Sequence, residues 1–142
     1  MAAYCTIDDL IAEFGAAEIT ELSDRDGTGS QDDARLDRAI NRASIEIDGY
    51  CSTRYVIPLT AVDPEVVGIA CDLARYYLFD DEVPDLVRER YQHAISVLRD
   101  IQAGRRSLAA DLVSAGAGIA VPGPKRPRMS SEALDKMPAI GS

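Results

Sequence analysis

The stretch Ile45 to Leu59, IEIDGYCSTRYVIPL, constrains the fold more than any other part of the chain. An apolar helix runs out through Tyr50 and yields within a few residues to a short extended segment, Tyr55 to Leu59. Pro58 stops that segment, because its ring fixes φ and removes a backbone donor. The helices on either side must then pack back on one another.

On the near side, Leu36, Ala39, Ile40, Ala43, Ile47 and Tyr50 recur at mixed three and four spacing, which predicts a long helix from Asp33 to about Thr53. On the far side, Asp63 and Pro64 form an N-cap and N1 pair, with Glu65 in the favourable first turn. Val66, Val67, Ile69, Ala70, Leu73, Ala74 and Tyr77 then cover more than half of the helix circumference up to Phe79. A helix of that kind is central, or is buried on one side by its own domain and on another by a neighbouring subunit. Asp48 and Arg54 can pair across the helix exit, and Asp72 and Arg75 are spaced for an i, i+3 pair. With Tyr50, Tyr55 and Pro58 they form an expected structural lock on the crossing of the two helices. Tyr76 is placed to reach a polar partner at the edge.

The rest of the body is also helical in pattern. Thr6 and Asp9 form an approximate capping box before Ile7, Leu10, Ile11 and Phe14, and Gly15 is a natural C-terminal residue for that helix. Ala16 to Leu22 adds a turn or two. After the acidic turn DDEVPD, Val87, Tyr91, Ala94, Ile95, Leu98 and Ile101 repeat at helical spacing up to Gly104. The chain has no Trp and few other aromatics, so Ala, Ile, Leu and Val supply the packing, which favours helices over a β-sandwich. The expected fold is mainly α: a small helical bundle over residues 1–112, followed by a long extended C-terminal arm over 113–142.

Composition changes at that boundary. Residues 1–112 carry 22 acidic and 11 basic side chains, whereas residues 113–142 carry two acidic and four basic ones. Gly116, Gly118, Pro122, Gly123, Pro124 and Pro127 exclude regular structure from much of the arm. Its basic cluster, Lys125, Arg126 and Arg128, and its apolar residues Met129, Leu134, Met137 and Ile140 form an expected protein interface for docking on a partner. From Ile119 to Ser142 the arm can reach about 80 Å when extended. An acidic body is a poor ligand for duplex DNA, since affinity for phosphate comes mainly from Lys and Arg.

Candidate chemistry is sparse. The loop DRDGTGSQDD places oxygen side chains at Asp24, Asp26, Thr28, Ser30 and Asp32, with Gly29 at the sixth position, and overlaps a calcium-binding EF-hand loop. Arg35 stands at the twelfth position, where a bidentate Glu belongs. A calcium-responsive binding module using residues 23–33 is therefore the alternative reading, against a solvated turn in which Asp32 or Asp33 caps the next helix. Cys5, Cys51 and Cys71 show no metal or disulfide spacing and read as small buried hydrophobes. His93 reads as a helix-surface residue. No catalytic residue, metal or cofactor is expected, nor a membrane span or leader segment.

Four segments in order, YCTIDDLIAEFG, LSDRDGTG, ASIEIDGYCSTRYVIPL and ACDLARYYLFDD, resemble the Mu-like phage and prophage head-tail connector family over residues 4 to about 108. RMSSEALDKM is similar to a weaker version of that family's closing motif. The resemblance implies a non-enzymatic neck adaptor, made in the host cytoplasm and assembled in the virion as a homo-oligomeric, dodecameric ring under the portal protein. A downstream stopper or tail-completion protein would be the other partner, and duplex DNA would pass through the channel without specific binding.

Overall fold

In the computed structural model, residues 3–80 and 82–113 are described, and their regular structure is helical: α1 (Ile7–Phe14), α2 (Ala16–Ser23), α3 (Asp33–Cys51), α4 (Pro64–Leu78) and α5 (Asp85–Gln102). The helical unit extends to Asp111. The arm residues Lys125, Arg126, Arg128, Met129, Leu134, Met137 and Ile140 lie outside the described residues.

Local chemistry sets the helix ends. The Thr6 hydroxyl accepts from the Asp9 N–H at 3.1 Å while the Asp9 carboxylate accepts from the Thr6 N–H at 2.9 Å, a reciprocal capping box. Gly15 ends α1 and starts α2 at φ 95°, a left-handed conformation that a side chain would strain. Asp32 caps α3 by accepting from the Arg35 N–H, and Pro64 opens α4.

α4 lies at the centre, packed chiefly against α3 and α5 and also against α1. Val66, Ile69, Ala70, Cys71, Leu73, Ala74 and Leu78 are buried and Val67 and Tyr77 half-buried, so most of the broad apolar surface of α4 is covered within its own domain. Ala39 and Ala43 on α3 and Ala70 and Ala74 on α4 are buried with it, and such small residues allow close helix approach. The three cysteines are buried thiols. The neighbouring Cys5 thiol and burial together hold Cys71 far above the ordinary thiol range, and burial, helped by Asp48, pushes Cys51 up to about 11. Neither is a nucleophile at neutral pH.

The connection from α3 to α4 is fixed from outside by Tyr4. Its hydroxyl donates to Asp48 Oδ1 and accepts from the Leu59 N–H at 3.0 Å, and its own N–H donates to Ser44 Oγ at 3.1 Å. One 2 % exposed side chain thus ties the N-terminal segment, the last turns of α3 and the end of the crossover. Burial is the main reason that this hydroxyl is pushed up to about 12, followed by its bond to Asp48. Tyr55 repeats the device at the other end, accepting from the Leu108 N–H at 2.8 Å, while the Val56 N–H donates to the Asp111 carbonyl at 2.9 Å.

Tyr4→Phe keeps the packing but leaves the Leu59 N–H and the half-buried Asp48 carboxylate without their partner. Urea unfolding should show a loss of about 1–3 kcal/mol with an unchanged m-value.

Candidate interaction surface

The expected lock residues come together only in part. Asp48 is engaged by Tyr4. Arg54 instead lies over Gly104, where φ is 84° and where the Cβ of any other residue would sit 2.9 Å from the Arg54 guanidinium. The left-handed backbone favours glycine there, whereas the guanidinium is the end of a flexible side chain that can move aside. Tyr50 is half-buried against the core, and Pro58 is exposed after a cis peptide bond with Ile57.

Asp72 and Arg75 take partners on other helices in place of the expected i, i+3 pair. Arg75 Nε donates to Glu18 Oε2 of α2 at 2.7 Å, and its guanidinium stands 4.2 Å from the Phe14 ring centre. Asp72 faces Arg90 of α5 at 3.1 Å, off the hydrogen-bonding direction, so its buried Oδ1 has no hydrogen-bond partner. α4 is enclosed by neighbours, and facing helices outcompete a pair along one exposed helix face.

The acidic loop is organised by its own side chains. The Asp24 carboxylate accepts from the Thr28 N–H at 2.9 Å, the Thr28 hydroxyl at 3.0 Å and the Gly29 N–H at 2.6 Å, and these backbone bonds hold it below the usual carboxylate range. Buried Ser23 closes the loop by accepting from the Asp32 N–H at 3.0 Å. Among the described residues, no group of three or more His, Cys, Asp or Glu side chains converges as a cation site. Arg35, at the position where a calcium loop needs Glu, donates to the Leu22 carbonyl at 3.3 Å and the Leu78 carbonyl at 2.7 Å. It places a cation at the carbonyl ends of α2 and α4, where the helix dipoles favour one.

The feature that sequence patterning misses is an aromatic and arginine surface where α3, α4 and α5 meet. The Tyr76 and Tyr91 rings stack with centres 3.8 Å apart, and Tyr77 stands edge-on to both at 5.8 Å and 6.1 Å. The Arg42 guanidinium caps the Tyr77 ring at 4.2 Å, and the Tyr77 hydroxyl donates to Glu46. Ile45, 54 % exposed, borders the same depression of about 440 Å³. Tyr76, given a polar edge by sequence, stacks because Tyr91 of α5 arrives opposite it. Only the helical spacing of Tyr77 and Tyr91 signalled this meeting. His93 is exposed on α5.

Among the described residues the geometry defines a helical domain whose distinctive surface is a tyrosine stack capped by an arginine, and no helix is long and apolar enough to cross a membrane. A family model described as Bacteriophage Mu, Gp36 matches residues 4–118, and the chain belongs to that phage family. It is 30% identical over 108 residues to the Mu-like prophage FluMu protein gp36 of Haemophilus influenzae, covering 76% of this chain and 77% of that relative. It is 29% identical over 103 residues to gene product J of Escherichia phage Mu, covering 72% and 73% respectively.

Two measurements probe these sites. Burial raises the Asp72 carboxyl above its ordinary value, against the pull of Arg90. A raised carboxyl makes stability fall as pH climbs from the unfolded value near 3.8 through the folded one. Asp72→Asn should therefore melt above the wild type at pH 7, with the gap closing as pH falls toward that lower limit. In the loop, Asp24→Ala should accelerate hydrogen exchange at the Thr28 and Gly29 amides and leave those of α3 beyond its first turn unchanged.

Proposed function

We infer that the chain is a structural virion protein of a tailed phage, a head-tail connector that forms a ring under the portal and joins the DNA-filled head to the tail. The observation that carries this reading is the family match over residues 4–118, which spans the whole helical body of a phage Mu protein family. The molecule's chemistry supports it. The buried thiols of Cys51 and Cys71 are protonated, and the conspicuous acidic loop is folded around Asp24. A surface of stacked tyrosines, a capping arginine and an exposed isoleucine matches the composition of protein interfaces. Function then lies in assembly and not in turnover.

In this reading the helical body makes the dodecameric ring in the virion neck. The arm, through Lys125, Arg126, Arg128 and the apolar residues Met129, Leu134, Met137 and Ile140, docks on the portal protein or an adjacent subunit. Each weak arm contact is multiplied around the ring, so avidity supplies the strength. A stopper or tail-completion protein binds the opposite side. The acidic body suits a channel through which duplex DNA passes, since attraction to phosphate would retard it.

Infection with a phage carrying a nonsense codon in this gene provides the test. Electron microscopy should show filled heads and separate tails, and added full-length chain should bind the portal of those heads and restore joining. Joined particles formed without the chain would overturn the reading.

A further inference from the structure

The body carries twice as many acidic as basic side chains, and most of its arginines are neutralised locally. Arg25 and Arg35 meet Asp80, Arg75 meets Glu18, Arg88 meets Asp85, Arg90 meets Asp72 and Glu13, Arg105 meets Asp100, and Arg106 meets Glu65. Four exposed arginines, Arg54, Arg99, Arg38 and Arg42, have no carboxylate within ion-pair distance among the described residues, and Arg38 and Arg42 are the two that are neighbours on one helix. They stand at i and i+4 on α3, with Ile45 at i+7, and so share one helix face beside the tyrosine cluster.

The same helix carries the complementary charge on a neighbouring face. Each residue advances about 100° around the axis, so Asp37 lies roughly 80–140° around the helix from Arg38, Arg42 and Ile45, with Asn41 between them. There Asp37 and Asp8 line an open cleft of about 530 Å³ between α1 and α3, together with Ile7 and Ile40. Both carboxylates are exposed, and neither has a salt-bridge partner among the described residues.

We propose that the Arg38, Arg42, Ile45 and tyrosine surface of one copy docks on the Asp8 and Asp37 flank of a second copy. The inference rests on the assembling role given above and names the two faces that carry it. Cations and carboxylates that have no ion-pair partner among the described residues of a copy are matched between copies, and Ile45 with the Tyr76–Tyr91 stack supplies the apolar part of the contact. Because the two faces are different surfaces of the same subunit, the contact is heterologous. Such a contact repeats from copy to copy and closes into a ring when the rotation permits.

Charge exchange between full-length chains tests it. Self-association of the wild type is measured by sedimentation and native mass spectrometry, up to millimolar concentration and with portal protein present. Arg38→Glu with Arg42→Glu should weaken self-association about tenfold or more, as should Asp8→Arg with Asp37→Arg. An equimolar mixture of the two doubly substituted chains should restore it, because every contact in an alternating assembly is again between opposite charges. Thermal melts of each chain exclude unfolding as the cause, and Arg38→Lys with Arg42→Lys keeps the charge as a milder control.

Undiminished association of either reversed chain would overturn the proposal. So would association that is lost but not restored on mixing, because another partner would then occupy the arginine face. A wild type that never self-associates, alone or on the portal, would overturn it as well. Portal binding and head-tail joining are read separately, so copies that fail to pair by these faces leave the connector reading standing, whereas a chain that pairs but never binds portal sinks that reading alone.

Discussion

The hydroxyl of Tyr4 holds the architecture to one arrangement. α4 is enclosed by α1, α3 and α5, so the short connection from Cys51 to Pro64 must deliver it at one angle and depth. That connection has little regular hydrogen bonding of its own and is fixed from outside. Tyr4 joins Asp48 on α3 to the Leu59 N–H, and Tyr55 receives the Leu108 N–H from beyond α5. Two buried phenols thus replace a ladder of backbone bonds, and both ends of the body close on the same crossover. A buried polar network of this kind rigidifies a fold only when each member is satisfied.

A second constraint operates at the opposite end of the two central helices. α2 and α4 both finish near the start of α3, presenting carbonyl groups that their own helices cannot satisfy. Arg35 answers two of them, Leu22 and Leu78, and also lies 3.4 Å from Asp80. Its burial lowers its pKa, yet a guanidinium stays charged at any working pH, which suits a fixed cation at helix C-termini. The acidic loop before α3 is therefore bounded by two anchors, Ser23 and Arg35, and Asp24 fills its interior.

Much of the fold was legible because it rests on local rules. The capping box at Thr6, the left-handed Gly15, the Asp63 and Pro64 start and the apolar stripes of α3, α4 and α5 each involve residues a few positions apart. What escaped the sequence was set by partners far away. Tyr4 bonds across 55 residues to Leu59, Arg35 across 43 to Leu78, and Arg75 across 57 to Glu18. The i, i+3 spacing of Asp72 and Arg75 described an isolated helix, whereas α4 is surrounded and each charge found a facing helix. The tyrosine surface was hidden for the same reason: Tyr76 and Tyr91 belong to separate stripes that only packing superimposes. The EF-hand likeness followed the spacing of oxygen atoms, but spacing does not reveal that Asp24 accepts from the loop's own N–H groups.

The width of the apolar surface on α4 carries a consequence for association. Sequence alone leaves it open whether that width serves one domain or two subunits, and in the fold most of it is covered within one. The exposed surface is then of a different character: stacked phenol rings, guanidinium groups and scattered single aliphatic residues. Contacts built from such groups lose less when a subunit is alone in water than contacts between wide apolar faces do, because the polar parts remain hydrated. They are also weakened by salt, since the charges lie at the surface. A domain of this design draws its stability from α4 at its centre, so a contact made through its exposed surface adds to a fold that is already closed on itself.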